Sequence, residues 1–268
     1  MLGIFDSGVG GLTVVKEVIK RLPHQSIIYF GDTARVPYGN KSPELIKKYA
    51  REGVEFLLSK KAQIIVLACN TMSAIAFDDL KSRYKIPIFE VITPAVKKSL
   101  KTTKNGNIGI IGTRATVESK IYEKKIREQQ KNFLISNFGF RIFSKACPLF
   151  VPMVEEGWID KPETEEIAKE YLEPLKKAKI DTLILGCTHY PLLKKIIKKV
   201  IGPKVKIVDS AEEIAKEISL FFERCGFVFT GTKIPRRHIY VSDKTEQLER
   251  IIRRWLDGDI KVEKVSLE

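Results

Sequence analysis

Apolar residues recur along this chain in two patterns, short runs and stripes of helical spacing. The short runs, rich in Ile, Val, Leu and Phe, predict strands at residues 2–5, 27–30, 64–67, 88–91, 108–111, 182–185 and 205–208. Between them, apolar stripes at helical spacing predict amphipathic helices, on Leu12, Val15, Val18, Ile19 and Leu22, and on Leu192, Leu193, Ile196, Ile197, Val200 and Ile201. The alternation of the two patterns predicts an α/β fold with mainly parallel sheets.

Two parts of the chain repeat the same order of elements. LGIFDSG near the start resembles NIGIIGT from Asn107, and EFLLSKKAQIIVLACNT, ending at Thr71, parallels EPLKKAKIDTLILGCTHYP, ending at Pro191. Each longer segment joins a helix, a basic turn and an apolar strand that closes on a cysteine. We therefore predict two similar α/β lobes related by pseudo-twofold symmetry, with the active site in the cleft between them.

The polar, basic stretch at 97–107, KKSLKTTKNGN, separates the repeated parts and is the predicted crossing between lobes. A second crossing is predicted within 203–210. On this division, residues 1–96 with 209–268 form a first lobe that carries Asp6 and Cys69, and residues 97–208 form a second lobe that carries Glu155 and Cys187. Length alone would also allow one large α/β unit.

Polar residues follow several of the predicted strands. Because ligands of parallel sheets bind beyond the carboxyl ends of the strands, these segments are candidate parts of the site. They are Asp6-Ser7-Gly8, Cys69-Asn70-Thr71, Gly112-Thr113 and Cys187-Thr188-His189. If the lobes face each other, one cysteine from each would flank a ligand.

Two thiols on either side of a ligand suit one particular reaction. Inversion of an α-carbon removes its proton from one side and returns a proton to the other, so a site with two bases needs a thiolate facing a thiol. A cysteine pKa lies close enough to neutrality for neighbouring groups to set either form. Asp6 and His189 are the natural partners of Cys69 and Cys187.

The remaining composition narrows the function classes. No CxxC pair occurs and only His24, His189 and His238 are available, so we expect no metal site. All four cysteines are expected to be free thiols, with Cys147 and Cys225 as small buried hydrophobic residues. DSGVGG matches neither the Walker nor the GxGxxG pattern, which argues against a nucleotide site.

The formal charge of +14 allows nonspecific attraction to nucleic acid, or steering of an anionic substrate. Much of the excess is lysine on predicted helix faces, such as KKIIKK at 194–199, which is typical of a solvated surface. No apolar run reaches membrane-spanning length and the chain starts without a signal pattern, so we expect a cytoplasmic protein with no membrane partner and no specific nucleic acid.

Five blocks are similar, in order and spacing, to those of the glutamate racemase family: IFDSGVGGLTV, GDTARVPYGNKS, ACNTMSA, CPLFVPMVEEG and LGCTHYPLL. They cover most of the chain. Met72 departs from the family's pattern, in which many relatives carry a small residue beside the thiol loop. The resemblance implies a cofactor-independent enzyme that interconverts L- and D-glutamate and supplies D-glutamate for peptidoglycan, and it implies a homodimer.

The resemblance also implies roles for individual residues. Cys69 matches the thiol that acts on the D-enantiomer and Cys187 the thiol that acts on the L-enantiomer, with Asp6, Glu155 and His189 as assisting acid/base groups. The matching substrate-binding residues are Asp6, Ser7, Tyr38, Gly39, Asn70, Thr71, Thr188 and His189.

Other interpretations of these residues stay open from the sequence. Glu155 and Glu156 could be a solvated pair at a helix end, His189 could cap a helix, and Tyr38-Gly39 could be an ordinary turn after Pro37. Among functions, the alternatives are a racemase of aspartate or another acidic amino acid, a cysteine hydrolase with Cys187 as nucleophile, and a nucleic-acid-binding module.

Overall fold

The computed structural model describes residues 1–130, 139–226, 235–256 and 261–267. The chain divides into two compact units, Met1–Val91 with Ile214–Glu268 and Ile92–Glu213. The sequence analysis placed the boundaries between the two lobes after residues 96 and 208. Each unit contains its own parallel sheet, and the two units are described separately below.

Strands and helices alternate along most of the chain. The strands of the described residues are β1 (Leu2–Asp6), β2 (Ile27–Gly31), β3 (Ile64–Leu67), β4 (Ile88–Glu90), β5 (Asn107–Gly112), β6 (Arg141–Ala146), β7 (Thr182–Gly186), β8 (Lys206–Asp209), β9 (Arg237–Val241) and β10 (Lys261–Lys264). Their helices are α1 (Leu12–Arg21), α2 (Pro43–Ser59), α3 (Asn70–Arg83), α4 (Ile92–Thr102), α5 (Arg114–Glu118), α6 (Ile121–Gln130), α7 (Phe150–Glu155), α8 (Pro162–Lys177), α9 (Lys194–Ile201), α10 (Ser210–Arg224) and α11 (Glu246–Trp255).

The first unit is built on a six-stranded sheet of order β10-β9-β2-β1-β3-β4. All of its strand pairs are parallel, with Leu2 in register with Ile27 on one side and Ile64 on the other. The central strands β1, β2 and β3 are buried along their whole length. Strands β9 and β10, from the end of the chain, extend this sheet beside β2.

The second unit is built on a four-stranded parallel sheet of order β6-β5-β7-β8. This order matches the β2-β1-β3-β4 part of the first sheet, with β5 in the place of β1 and β7 in the place of β3. The same correspondence was indicated by the repeated sequence segments. Cys69 and Cys187 thus follow equivalent strands of the two sheets.

Local sequence signals explain where several helices begin. Helix α2 begins with Pro43, which needs no N–H donor in the first turn, and the Ser42 side chain accepts a hydrogen bond from Leu45 N–H. In α1 the buried residues Leu12, Val15 and Val18 lie on one face. The helical spacing of the apolar residues predicted this buried face.

Each strand predicted from the sequence is present, with ends that differ by at most one residue. The sequence analysis gave no range for β9 or β10, and it did not predict β6, a strand with an exposed first residue and half-buried residues after it. It lies at an edge of its sheet. Edge strands are covered on fewer sides and tolerate charges such as Arg141 and Lys145, so their apolar signal is weak.

Candidate functional site

Cys69 lies between the end of β3 and the first residue of α3, where it occupies the N-cap position. The Cys69 residue is 6% exposed, and its sulfur accepts a hydrogen bond of 3.3 Å from the Ser7 hydroxyl. The N-terminus of a helix stabilises negative charge. The Cys69 sulfur therefore lies where a negative charge would be stabilised.

Asp6 is the last residue of β1 and is almost completely buried. Its Oδ2 accepts a hydrogen bond of 3.0 Å from Gly8 N–H, so the carboxylate orders the loop that contains Ser7. Asn70 and Thr71 form the first turn of α3 beside Cys69, and both are buried. The structure thus brings Ser7, Cys69, Asn70 and Thr71 together in the first unit, with Asp6 next to Ser7 in the chain.

Tyr38 and Gly39 belong to a short 3-10 helix, Tyr38–Asn40, that follows Pro37. Tyr38 is 1% exposed, and its hydroxyl donates a hydrogen bond of 2.5 Å to Asp32 Oδ2. Burial and the neighbouring Asp32 carboxylate raise the Tyr38 pKa far above its ordinary value, which keeps this hydroxyl protonated. The segment is more than an ordinary solvent-exposed turn, because a buried polar network anchors it.

Asp32 is the centre of that network. Its carboxylate accepts hydrogen bonds from the Tyr38 hydroxyl, from Arg35 Nε at 2.7 Å and from the Ser242 hydroxyl at 2.8 Å. Arg35 also pairs with Glu52 and its guanidinium lies 3.9 Å from the centre of the Tyr49 ring. The sequence analysis did not single out Asp32 or Arg35, although both stand in the block GDTARVPYGNKS.

In the second unit, Cys187 follows β7 directly and is 6% exposed. Its sulfur lies 3.9 Å from Nδ1 of His189, within hydrogen-bonding range for sulfur. Thr188, between them, is buried. A thiol and an imidazole are therefore adjacent at the carboxyl end of this strand.

Glu155, the last residue of α7, completes this group in the second unit. Its Oε1 lies 2.9 Å from Nε2 of His189. This contact favours a role for Glu155 in the site over that of a solvated carboxylate. His189 occupies the N-cap position of the short 3-10 helix Tyr190–Leu193, but its side chain makes no capping bond there. The imidazole is directed to the carboxylate and the thiol.

The environment of His189 favours its protonated form. Burial lowers the His189 pKa, but hydrogen bonds to Cys187 and Glu155 and the charges of both groups outweigh burial and raise it to about 10. An imidazolium beside a sulfur stabilises a thiolate. The group Glu155, His189 and Cys187 is therefore arranged to hold and move a proton.

The other two cysteines behave differently from each other. Cys147 is completely buried, and burial raises its pKa well above the ordinary value, as suits a small hydrophobic residue. Cys225 is exposed, so the expectation that it would be buried was wrong. It lies just past the end of the amphipathic helix α10 and does not follow a strand. All four cysteines are free thiols.

Other site types find little support in the part of the chain that the structure describes. It contains no group of three or more His, Cys, Asp or Glu side chains able to hold a metal ion. Among the same residues, no helix is both long and apolar enough to span a bilayer. The chemistry that the described site residues offer is acid/base chemistry of thiols, carboxylates and an imidazole.

Comparison with known proteins decides the family. The sequence pattern of the Asp/Glu/hydantoin racemase family matches residues 12–218, most of the chain. This chain belongs to the Asp/Glu/hydantoin racemase family. Among its curated relatives, the glutamate racemase of Geobacter metallireducens is 44% identical over 268 residues, covering 100% of this chain and 97% of the relative.

Solved structures of the racemase family agree with the fold. A glutamate racemase isoform from Bacillus anthracis superposes with a TM-score of 0.92 at 40% identity, covering 100% of this chain and 97% of that one. Glutamate racemase from Francisella tularensis, in complex with D-glutamate, gives 0.89 at 38% identity with the same coverage. The α/β fold with two parallel sheets, the family resemblance and the enzyme class, an isomerase of the racemase type, are confirmed.

Proposed function

We propose that this racemase interconverts L- and D-glutamate without a cofactor, and that Cys69 and Cys187 act on opposite faces of the α-carbon. The observation that carries the proposal is the equivalent placement of the two thiols. The two cysteines follow equivalent strands of their sheets, Cys69 after β3 and Cys187 after β7. Each sulfur contacts a polar side chain, Ser7 for Cys69 and His189 for Cys187. The names of the relatives support glutamate as the substrate.

The proposed reaction transfers one proton to one sulfur and one proton from the other. With D-glutamate, the Cys69 thiolate takes the α-proton, and the electron pair of the broken C–H bond passes into the α-carboxylate. The Cys187 thiol then donates its proton to the opposite face, and L-glutamate leaves with Cys187 as thiolate. The reverse sequence converts L- to D-glutamate.

Neighbouring groups assist each thiol in this scheme. Asp6 assists Cys69, while His189, held by Glu155, stabilises the thiolate of Cys187. Substrate binding is proposed for Asp6, Ser7, Tyr38, Gly39, Asn70, Thr71, Thr188 and His189. Backbone N–H groups and small hydroxyls at helix starts suit the carboxylates of an acidic amino acid.

The resemblance to glutamate racemases also suggests where the protein works and in which oligomeric state. We propose that the protein works in the cytoplasm as a homodimer and supplies D-glutamate for peptidoglycan, as the sequence resemblance implies. Its net charge of +14 suits the attraction of an anionic amino acid that carries two carboxylates. Light scattering of the purified protein measures the oligomeric state, and a monomeric mass would contradict the homodimer.

The test is a racemisation assay in heavy water without added pyridoxal phosphate. The parent should convert either enantiomer of glutamate and place deuterium at the α-carbon of the product. Cys69→Ser and Cys187→Ser should each abolish turnover, while Cys225→Ser, an exposed cysteine, serves as the matched control and should keep it. Full activity in either site variant, or activity on aspartate with none on glutamate, would overturn the proposal.

A further inference from the structure

Tyr29 is a buried tyrosine of β2 that the proposed reaction does not use. It is 1% exposed, and its ring fills the space beside two glycines. A Cβ atom at Gly11 would lie 3.0 Å from Tyr29 Cε2, and one at Gly31 would lie 3.1 Å from Tyr29 Cε1. The ring is therefore held in one position by close backbone approach on both of its edges.

The Tyr29 hydroxyl reaches the loop between β1 and α1. It donates a hydrogen bond of 2.7 Å to the carbonyl oxygen of the buried residue Gly8. Burial, with the nearby Asp6 and Cys69 charges, raises the Tyr29 pKa well above its ordinary value, so the hydroxyl stays a donor at any working pH. The bond is thus a permanent link between β2 and this loop.

Gly8 connects the hydroxyl of Tyr29 to the groups around the Cys69 sulfur. Its N–H donates to Asp6 Oδ2, and the preceding residue, Ser7, donates to Cys69 Sγ. Tyr29 therefore fixes Gly8 through its carbonyl oxygen, while Asp6 is oriented by the N–H of the same residue. A displacement of Gly8 would therefore move Ser7 and disturb the hydrogen bond from Gly8 N–H to Asp6.

We propose that Tyr29 is a positioning residue for proton transfer at Cys69, acting through Gly8 on Ser7 and Asp6. This inference rests on the proposed function. It predicts that loss of the Tyr29 hydroxyl slows proton transfer at Cys69 and leaves proton transfer at Cys187 unchanged. A general loss of stability would not distinguish the two thiols.

A tyrosine of the second unit offers a counterpart. The hydroxyl of Tyr190, which is fully buried, donates a hydrogen bond of 2.9 Å to the carbonyl oxygen of Cys147, just beyond β6. Tyr190 lies three residues after Cys187, and its backbone N–H donates to the Cys187 carbonyl. Tyr190→Phe therefore removes a buried hydrogen bond from a tyrosine hydroxyl to a backbone carbonyl in the unit that carries Cys187.

The test compares Tyr29→Phe with Tyr190→Phe by steady-state kinetics on α-deuterated D- and L-glutamate. Tyr29→Phe should lower kcat roughly tenfold to a hundredfold, the scale of a small misplacement of reacting groups. Because Cys69 takes the proton of D-glutamate, the isotope effect on D-glutamate should rise and that on L-glutamate should fall. Tyr190→Phe should shift the two isotope effects in the opposite direction.

Tyr84→Phe is the control for loss of a tyrosine hydroxyl in the first unit, since that hydroxyl bonds Glu55 at an exposed position. It should keep the parental kinetics. If Tyr29→Phe keeps the parental kcat and isotope effects while Cys69→Ser is inactive, the positioning role is overturned and the proposed function stands. If Cys69→Ser is active, the proposed function itself fails.

A second variant covers the case in which Tyr29→Phe does not fold. Gly31→Ala keeps the Tyr29 hydroxyl and displaces Gly8, because the new Cβ would clash with the carbonyl oxygen of Gly8. As with Tyr29→Phe, a higher isotope effect on D-glutamate together with a lower one on L-glutamate would support the inference. Parental isotope effects with both enantiomers would overturn it.

Discussion

Glu155 Oε1 lies 2.9 Å from Nε2 of His189, and the other nitrogen of that ring lies 3.9 Å from the Cys187 sulfur. The imidazole therefore joins a carboxylate to a thiol. The carboxylate orients the ring and stabilises its cation, as second partners of catalytic histidines do. The acid/base behaviour of Cys187 should then depend on Glu155, which lies 32 positions before it in the chain and acts through the His189 ring.

Replacement of Glu155 should change the pH dependence of racemisation. Glu155→Gln replaces the carboxylate, whose charge raises the His189 pKa, with a neutral amide that is a weaker acceptor, so the imidazolium should lose its proton at a lower pH. We expect kcat to fall roughly tenfold to a hundredfold, at the lower end of acid/base contributions. The loss of activity on the basic side should begin at lower pH than in the parent.

Glu156→Gln is the matched control, because it removes the same charge from the exposed neighbouring residue. It should keep the parental pH profile. A Glu155→Gln profile that coincides with the parental one would contradict the role given to this carboxylate. Initial rates with both enantiomers between pH 6 and 10 provide the comparison.

The raised pKa of His189 also predicts how its contribution to stability varies with pH. Since the folded protein binds this proton more tightly than the unfolded chain, whose histidine has a pKa near 6.5, the stabilisation is complete below pH 6.5. It is lost as the pH rises towards the folded value of about 10. The loss cannot exceed about 1.4 kcal/mol per pH unit for one proton.

Urea unfolding of the parent and of His189→Asn at several pH values measures this effect. The difference in free energy of unfolding between the two proteins should shrink from pH 6.5 to pH 10. A difference that is constant or grows over this range would show that His189 is neutral in the folded protein.

Asp32, which is completely buried, should matter more for stability than a partly exposed carboxylate that also pairs with arginine. Asp32→Asn leaves the Arg35 guanidinium and the Tyr38 hydroxyl without their buried carboxylate, and breaking such a pair costs about 3 to 5 kcal/mol. Asp79, a less buried carboxylate whose pKa is lowered to about 2 by Arg51 and Arg83, is the control. Asp79→Asn should cost about 1 kcal/mol or less.

Chemical denaturation of both aspartate variants measures these costs, and glutamate KM provides a second observable. Because Tyr38 and Gly39 depend on Asp32 for their position, KM should rise in Asp32→Asn and stay unchanged in Asp79→Asn. Equal destabilisation by the two substitutions would rule out a special role for the buried network.

Gly53 allows α2 to pack closely on β1. A Cβ at this position would lie 2.2 Å from Phe5 Cζ, and Phe5 is completely buried against Phe30. Gly53→Ala should lower the free energy of unfolding by about 1 kcal/mol, since overpacking outweighs the gain in helix propensity. Gly139→Ala, which meets nothing within 4 Å, should change it by less than about 0.5 kcal/mol. Stabilisation by Gly53→Ala would contradict this account.

Much of the architecture was predictable because it depends on local patterns. Buried strands such as β3 are continuous apolar runs, and the helices between them repeat apolar residues at helical spacing. The strand order of the second sheet follows the repeat seen in the sequence. The edge strand β6 was missed because its half-buried residues carry a weaker signal, and Cys225 was misplaced because burial depends on packing.

The sequence by itself determined the α/β class, the repeated halves and the residue types at the strand ends, since each depends on neighbours along the chain. Only the tertiary structure decided which of these side chains touch. Nothing local connects Glu155 to His189, Tyr29 to Gly8, or Asp32 to Ser242. Such bonds form between residues that the folded sheets and helices bring within 3 Å, and these contacts together with burial shift the pKa values of His189 and Tyr29.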